Sequence, residues 1–489
     1  MNARGLLTAI TFLPLVFGFA ALALGRNPSL CRKASLTMAL LHLALTLWAL
    51  YLSLSLPLTE DAAWIPVLGA RYTLAMDAVS GVLILLTSFL TVLAILVSWK
   101  EITKNVGAYH FLLFGVSTMA VGVFLARDLL LFLVFWEAQL APMFFLIALY
   151  GHEDRRRAAY KFFLYSLAGG LFMLLAAVWL YLANASATGV YTFSLAELLA
   201  HPVAAYAQPW LFAAFVIAFA IKTPIVPLHT WLPDAHTQAP TAGSLILAGV
   251  LLKTGSYALV RYAMPLFPQA VAEYWWILAL LGAGGVVYSS LVAFAQTDAK
   301  RLVAYSSVGH MGLVVLGIAV WKTAALTGSV LLMVNHALTT GALFIMIGML
   351  GERVHTRDLA NFGGLWRTMP VFSGFFLLFA MASAGLPGLG NFVSESLILL
   401  GSFQTAPVTT ALAFLGLVTT LAYILRLVQK TIFGQGDWEK TTDFSPLRQD
   451  ITVREALILA PLATCVVILG VAPWTLLDLI RIPLAGFFS

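Results

Sequence analysis

The sequence predicts an all-α membrane protein of about fourteen transmembrane helices, and three observations carry that reading. Of 489 residues, 61% are hydrophobic and only 10% charged, whereas a soluble domain carries about 25% charged residues. Apolar runs of roughly 20 residues, the length that spans a bilayer, recur along the whole chain. The basic residues between those runs fall mostly on alternate connections, as the positive-inside rule requires of a multi-pass protein.

The runs centre near residues 15, 46, 88, 117, 140, 172, 220, 250, 284, 311, 337, 387, 419 and 466. The first, GLLTAITFLPLVFGFAALALG, has no small-residue cleavage site and reads as a span rather than a signal peptide. Connections after odd-numbered spans hold nineteen Lys and Arg, and the other side with both termini holds six; Lys222 and Lys253 lie inside spans. Both termini are therefore expected outside, and the connections after odd-numbered spans in the cytoplasm. The net charge of +6 reports topology, and no nucleic-acid partner is implied. Residues 185–208 form a long outside loop expected to carry local structure. The longest cytoplasmic connection is 434–452, GQGDWEKTTDFSPLRQDIT. Cys31 and Cys465 stand far apart without metal spacing, so neither a disulfide framework nor a metal site is expected.

Two spans contain helix breakers. TPIVP interrupts span 7 and AGLPGLGN, 384–391, interrupts span 12. Lys222 immediately precedes the first interruption, and Glu395 follows the second by four residues. Glu137 in span 5 and His310 in span 10 are likewise five spans apart. Spans 4–8 and 9–13 thus read as two five-helix repeats, inverted because an odd number of helices reverses the second copy. The resulting segments are 1–105, 106–262, 270–433 and 434–489. Transporters built from inverted repeats place their ion sites at broken helices near the midplane.

Lys222 has a bland reading as a snorkelling lysine. It lies 13 residues after Pro209 and nine before Trp231, so roughly 13 Å or more of helix separates it from either end. A central charge costs on the order of 2.5–3.5 kcal/mol, which favours a functional role. Pro224 and Pro227 lack N–H groups and free carbonyls upstream, and the break is expected to bring water to the lysine. Glu137, in LLLFLVFWEAQLAPMFFLI, is the acidic group expected to stabilise it. Lys253 in span 8, His310 in span 10 and His336 in span 11 are mid-span groups that each read alone as hydrogen-bonded packing residues. In series with Lys222 and Glu395 they read as a proton relay. His229, Asp234 and His236, around the cytoplasmic end of span 7 where Trp231 marks the interface, read equally well as caps and loop anchors or as groups at an ion entry. Asp298 reads as an N-cap followed by topology charges Lys300 and Arg301, and Glu101 as a solvated boundary residue. No phosphate loop, haem motif or nucleophile elbow is visible, so redox chemistry and ATP hydrolysis have no seat here.

FWEAQLAPMFFLIALYGHE, IKTPIVPLHTWLPDAHTQAPTAGSLILAGVLLKTGSY, AQTDAKRLVAYSSVGHMG and LPGLGNFVSE together resemble the antiporter-like membrane subunits of respiratory complex I, above all the M type. The resemblance covers nearly the whole chain. It implies inverted five-helix bundles with broken helices 7 and 12, and proton pumping driven by quinone reduction elsewhere in the complex. By matching motif, Glu137 and Lys222 would be an ion pair, Lys253 and His310 a bridge, His336 a further relay and Glu395 the exit group. Glutamate at 395, where the L and N types usually carry lysine, and a chain that stops soon after span 14 favour the M type. No cofactor is expected in this chain; NADH, FMN, iron–sulfur clusters and quinone belong to partner subunits. Partners would be other complex I membrane subunits, especially L-type and N-type chains, and lipid. Alternatives are a subunit of a multi-chain cation/proton antiporter, or of a related hydrogenase or photosynthetic complex.

Overall fold

The computed structural model describes residues 5–434 and 449–485. Arg4, Lys440 and Arg448 of the charge count, and most of the 434–452 connection, lie outside the described residues. Hydrocarbon offers no partner to a backbone N–H or C=O, so an apolar crossing segment must bond within itself and becomes helix. Among the described residues twelve helices are long and apolar enough to cross a membrane. Two shorter apolar helices, Gln208–Lys222 and Pro370–Ser383, end at the two interruptions read from the sequence. The all-α membrane class holds.

Three features depart from the hydropathy reading. The connection after Pro28–Ser53 is an antiparallel hairpin, Leu58–Ile65 paired with Ala70–Met76. Its Glu60 accepts from the N–H groups of Leu7 (2.8 Å) and Thr8 (3.1 Å), supplying acceptors to the first turn of Leu6–Ala23 that the helix itself cannot provide. Span 5 is itself broken: Leu129–Ala138 gives way at Gln139 to Leu140–Tyr150. Pro142 cannot donate to the Ala138 carbonyl four residues back, which accounts for the turn. After the last span a further helix, Trp474–Ala485, continues the chain. The connection at 185–208 does carry local structure, the short helix Leu195–Ala200.

The chain forms two compact units. The first comprises Met1–Ile95, Ile102–Thr223 and Val250–Trp275; within it Leu6–Ala23 packs on Val106–Leu125, and Arg155–Thr188 on Gln208–Lys222. The second comprises Leu96–Glu101, Pro224–Gly249 and Trp276–Ser489. Its axis is Thr323–Val354, whose apolar stretch is wholly buried, with Ala299–Ala319 and Gly390–Phe403 against it. Polar groups on a wholly buried helix face protein rather than lipid, so that helix can carry His336 and Asn335 without exposing them to hydrocarbon. Two unit boundaries fall where regular helix fails: Thr223/Pro224 is the break in span 7, and Gly249/Val250 lies inside the π-helical turn Leu247–Leu251.

Candidate functional site

In the first unit the break of span 5 and the end of Gln208–Lys222 come to one place. Lys222 is the last residue of its helix and 1% exposed. Its ammonium lies 5.2 Å from the ring centroid of Trp136 and 5.8 Å from that of Phe162, within the range of cation–π attraction. The two rings flank the ammonium on the side of span 5 and of Arg155–Thr188. Glu137, next to Trp136, is the charge that acts on Lys222. Among the described residues neither its two carboxylate oxygens nor the Lys222 Nζ has a hydrogen-bond partner. The carboxylate lies directly on the backbone of Gly170 in Arg155–Thr188: a Cβ there would fall 1.6 Å from Glu137 Oε1. Glycine is what makes room for the acid. Lys253, fully buried, sits two residues beyond the π-helical turn, in Leu252–Ala258.

In the second unit three of the expected groups converge from three helices. His310 Nε2 is 3.7 Å from Glu395 Oε1 and within hydrogen-bond range of the Ser383 carbonyl, at 3.0 Å. Its Nδ1 lies 2.9 Å from the Ser306 carbonyl one turn back. The His310 and His336 ring centroids are 5.5 Å apart. Ser383 ends Pro370–Ser383, so the histidine reads the last turn before the break in span 12. The chain turns there on Gly385 (φ 76°) and resumes helix at Gly390–Phe403, whose second turn presents Glu395. A Cβ on Gly385 would lie 2.5 Å from Glu395 Oε2. Asn335 donates to the Gly390 carbonyl at 2.7 Å and fixes the restart. In each unit a buried carboxylate thus rests on a glycine beside a broken helix.

Of the weaker candidates, His229 stands edge-on to Tyr288, His236 stacks on Phe344 at 4.6 Å, and Asp234 is 3.8 Å from Arg301. Trp231 is completely buried in the protein. Asp298 caps Ala299–Ala319 as expected, accepting from the Arg301 N–H at 2.9 Å.

Two readings from the sequence are corrected in the second unit. Lys300, counted as a topology charge, is 1% exposed and donates to the Ala239 carbonyl at 2.6 Å. Glu101, read as solvated, has one carboxylate oxygen buried without a partner while the other accepts from the Thr241 N–H at 3.0 Å. Both sit at the ends of apolar runs, where sequence position does not separate an outward side chain from an inward one. The first unit also holds an ion cluster that the sequence hid by distance: Asp77 pairs with Arg261 and, at 3.3 Å, with Arg127.

Apolar helices long enough to cross a membrane that bury carboxylates, lysines and histidines among them define a polytopic membrane protein with titratable groups in its interior. Residues 126–421 match the family described as NADH:quinone oxidoreductase/Mrp antiporter, TM. The chain is 47% identical over 422 residues to NADH-quinone oxidoreductase subunit M of Pseudomonas aeruginosa, covering 85% of this chain and 82% of that one. It is 45% identical over 459 residues to the subunit M of Escherichia coli, covering 91% and 90%. A chain in the structure of respiratory complex I from Thermus thermophilus with bound NADH superposes with a TM-score of 0.88 at 33% identity, covering 99% of this chain and 100% of that one. The chain belongs to this family of complex I and Mrp antiporter membrane subunits.

Proposed function

We propose that this chain is the proton-translocating M-type subunit of a bacterial NADH:quinone oxidoreductase, moving protons through Glu137, Lys222, Lys253, His310, His336 and Glu395 while quinone reduction on other subunits drives the cycle. NADH, FMN, the iron–sulfur clusters and quinone reside on those partners, with L-type and N-type chains as neighbours in the membrane. The observation that carries the proposal is that buried titratable groups gather beside a broken helix in each unit: Lys222 over the ring of Trp136, the neighbour of Glu137, in one, and His310 3.7 Å from Glu395 in the other. Spans 4–8 and 9–13 are read as inverted copies, flanked by 1–105 and 434–489, with both chain ends outside the cytoplasmic membrane. On that topology Lys222 loads from the cytoplasm and Glu395 discharges outside.

An isolated buried charge costs about 3–5 kcal/mol once its partner is removed, so Glu137 and Lys222 act as one unit. Glu137→Ala and Lys222→Ala in the whole complex are each expected to abolish coupled proton pumping. Lys222→Arg fails as well, because an arginine does not deprotonate in a protein. The measurement is proton translocation by the reconstituted complex at equal assembly and equal donor-to-quinone rate. Normal pumping from both alanine variants overturns the proposal. The family also spans Mrp antiporters; co-purification with small antiporter subunits instead of NADH-oxidising ones selects that reading.

A further inference from the structure

Away from these groups, the second unit holds a cleft of about 710 Å³ walled by Phe294, Leu377, Met381, Leu425 and Phe433. Arg426, Gln429 and Lys430 line it at one end. Arg426 and Lys430 stand four residues apart, on one face where Pro407–Val428 runs into the π-helical turn Gln429–Phe433. The guanidinium of Arg426 is fixed there, donating to the Phe294 carbonyl and resting 4.8 Å over the Phe294 ring. Among the described residues lining the cleft there is no carboxylate to balance the two cations. Its walls are otherwise apolar and face outward: Phe294 is 43%, Leu425 46% and Phe433 58% exposed.

We propose that the cleft is a binding site for one anionic phospholipid, its phosphate on Arg426 and Lys430 and an acyl chain running between Leu425 and Leu377 to Met381. The volume lies in the range of small-molecule sites, about 300–1,000 Å³, and suits a chain rather than a headgroup alone. The charged end belongs to a connection that the distribution of basic residues places in the cytoplasm, the face where a bilayer carries its anionic lipids. A free inorganic anion would gain nothing from the apolar length. A zwitterionic lipid would fill the length but leave the cation pair without a net counter-charge. The inner end of the chain comes to rest two residues from Ser383, whose carbonyl meets His310. The site is independent of the pumping assignment, because its occupancy is read without turnover.

The test uses the purified whole complex in phosphatidylcholine vesicles, doped with phosphatidylglycerol or phosphatidylcholine that bears the same photoreactive acyl chain. Each cation near the surface favours the anionic lipid about fivefold, so the pair gives phosphatidylglycerol about a thirtyfold advantage. Labelled peptides are expected to contain Leu377–Met381 and Leu425–Phe433. Arg426→Gln with Lys430→Gln should bring phosphatidylglycerol down to the phosphatidylcholine level. Leu377→Trp, which fills the cleft and leaves both charges, should remove the label from either lipid. Equal labelling by the two lipids, displacement of the label by excess inorganic phosphate, or cross-linking of these peptides to another subunit in place of lipid each overturns the proposal.

Discussion

Glu137 and Glu395 each rest on a glycine, and the two contacts separate placement from stability. At Gly170 the three nearest atoms to the would-be Cβ all belong to the end of the Glu137 side chain. Alanine there favours the helix itself by roughly 0.5–1 kcal/mol over glycine, so what Gly170→Ala costs comes from displacing the acid. What it does is expel the carboxylate from its seat. Pumping by the assembled complex is expected to fall severalfold at equal assembly; unchanged pumping would show that the seat does not matter. Glu395→Gln, which cannot release a proton, should stop turnover-coupled pumping. Glu395→Lys, the residue related subunits carry there, should retain part of it. Proton release by reconstituted complexes decides, and normal pumping by the glutamine variant removes Glu395 from the exit. Lys222 and Glu395 were legible in the sequence because a charge deep in an apolar run contradicts its surroundings. Lys300 and Glu101 were not, because at the end of such a run a buried charge and a solvated one look alike.

At the level of elements, breaks that gather two or more prolines or glycines, TPIVP and AGLPGLGN, were legible, and the break in span 5 was not. There Pro142 acts on a carbonyl four residues away inside an unbroken apolar run. The π-helical turns at Leu247–Leu251 and Leu259–Ala263 have no composition of their own either. The ion cluster of the first unit shows what joins separate elements. Asp77 ends the hairpin connection and precedes Ala78–Glu101; Arg127 follows Val106–Leu125, and Arg261 lies in the turn Leu259–Ala263. Burial pushes the Asp77 carboxyl up, but Arg261 and Arg127 together outweigh it and hold it at about 2. A carboxyl depressed below its unfolded value of about 3.9 adds stability that is complete above that pH and is lost as pH falls toward 2. The clasp is therefore constant across neutral pH. Asp77→Asn should lower the melting temperature of the purified complex equally at pH 6 and pH 8. A destabilisation that differs between those two values would assign the charge balance to another group.

At the level of the whole molecule, the all-α membrane class and the order of the apolar runs could be read, since hydropathy and charge alternate along the chain. The composition of the compact units could not, because it depends on which helices pack together. The chain passes from one unit to the other after Ile95, Glu101, Thr223, Gly249 and Trp275. Pro224–Gly249 belongs to the second unit, yet more than 200 residues of mostly first-unit chain precede it and Val250–Trp275 of the first unit follows it. A gene cut after Leu266 thus yields two pieces that are not two units. The longer-range consequence is one of inheritance: the amino-terminal piece carries away a part that the carboxy-terminal piece needs to finish folding. Co-expressed, the two fragments should find each other in the membrane and co-purify through a tag on either one. The carboxy-terminal fragment made alone should be degraded, and rescue should come from a amino-terminal partner extended through Gly249 but not from one that stops at Thr223. Such a chain is hard to divide in evolution as in the laboratory, because neither half is self-sufficient.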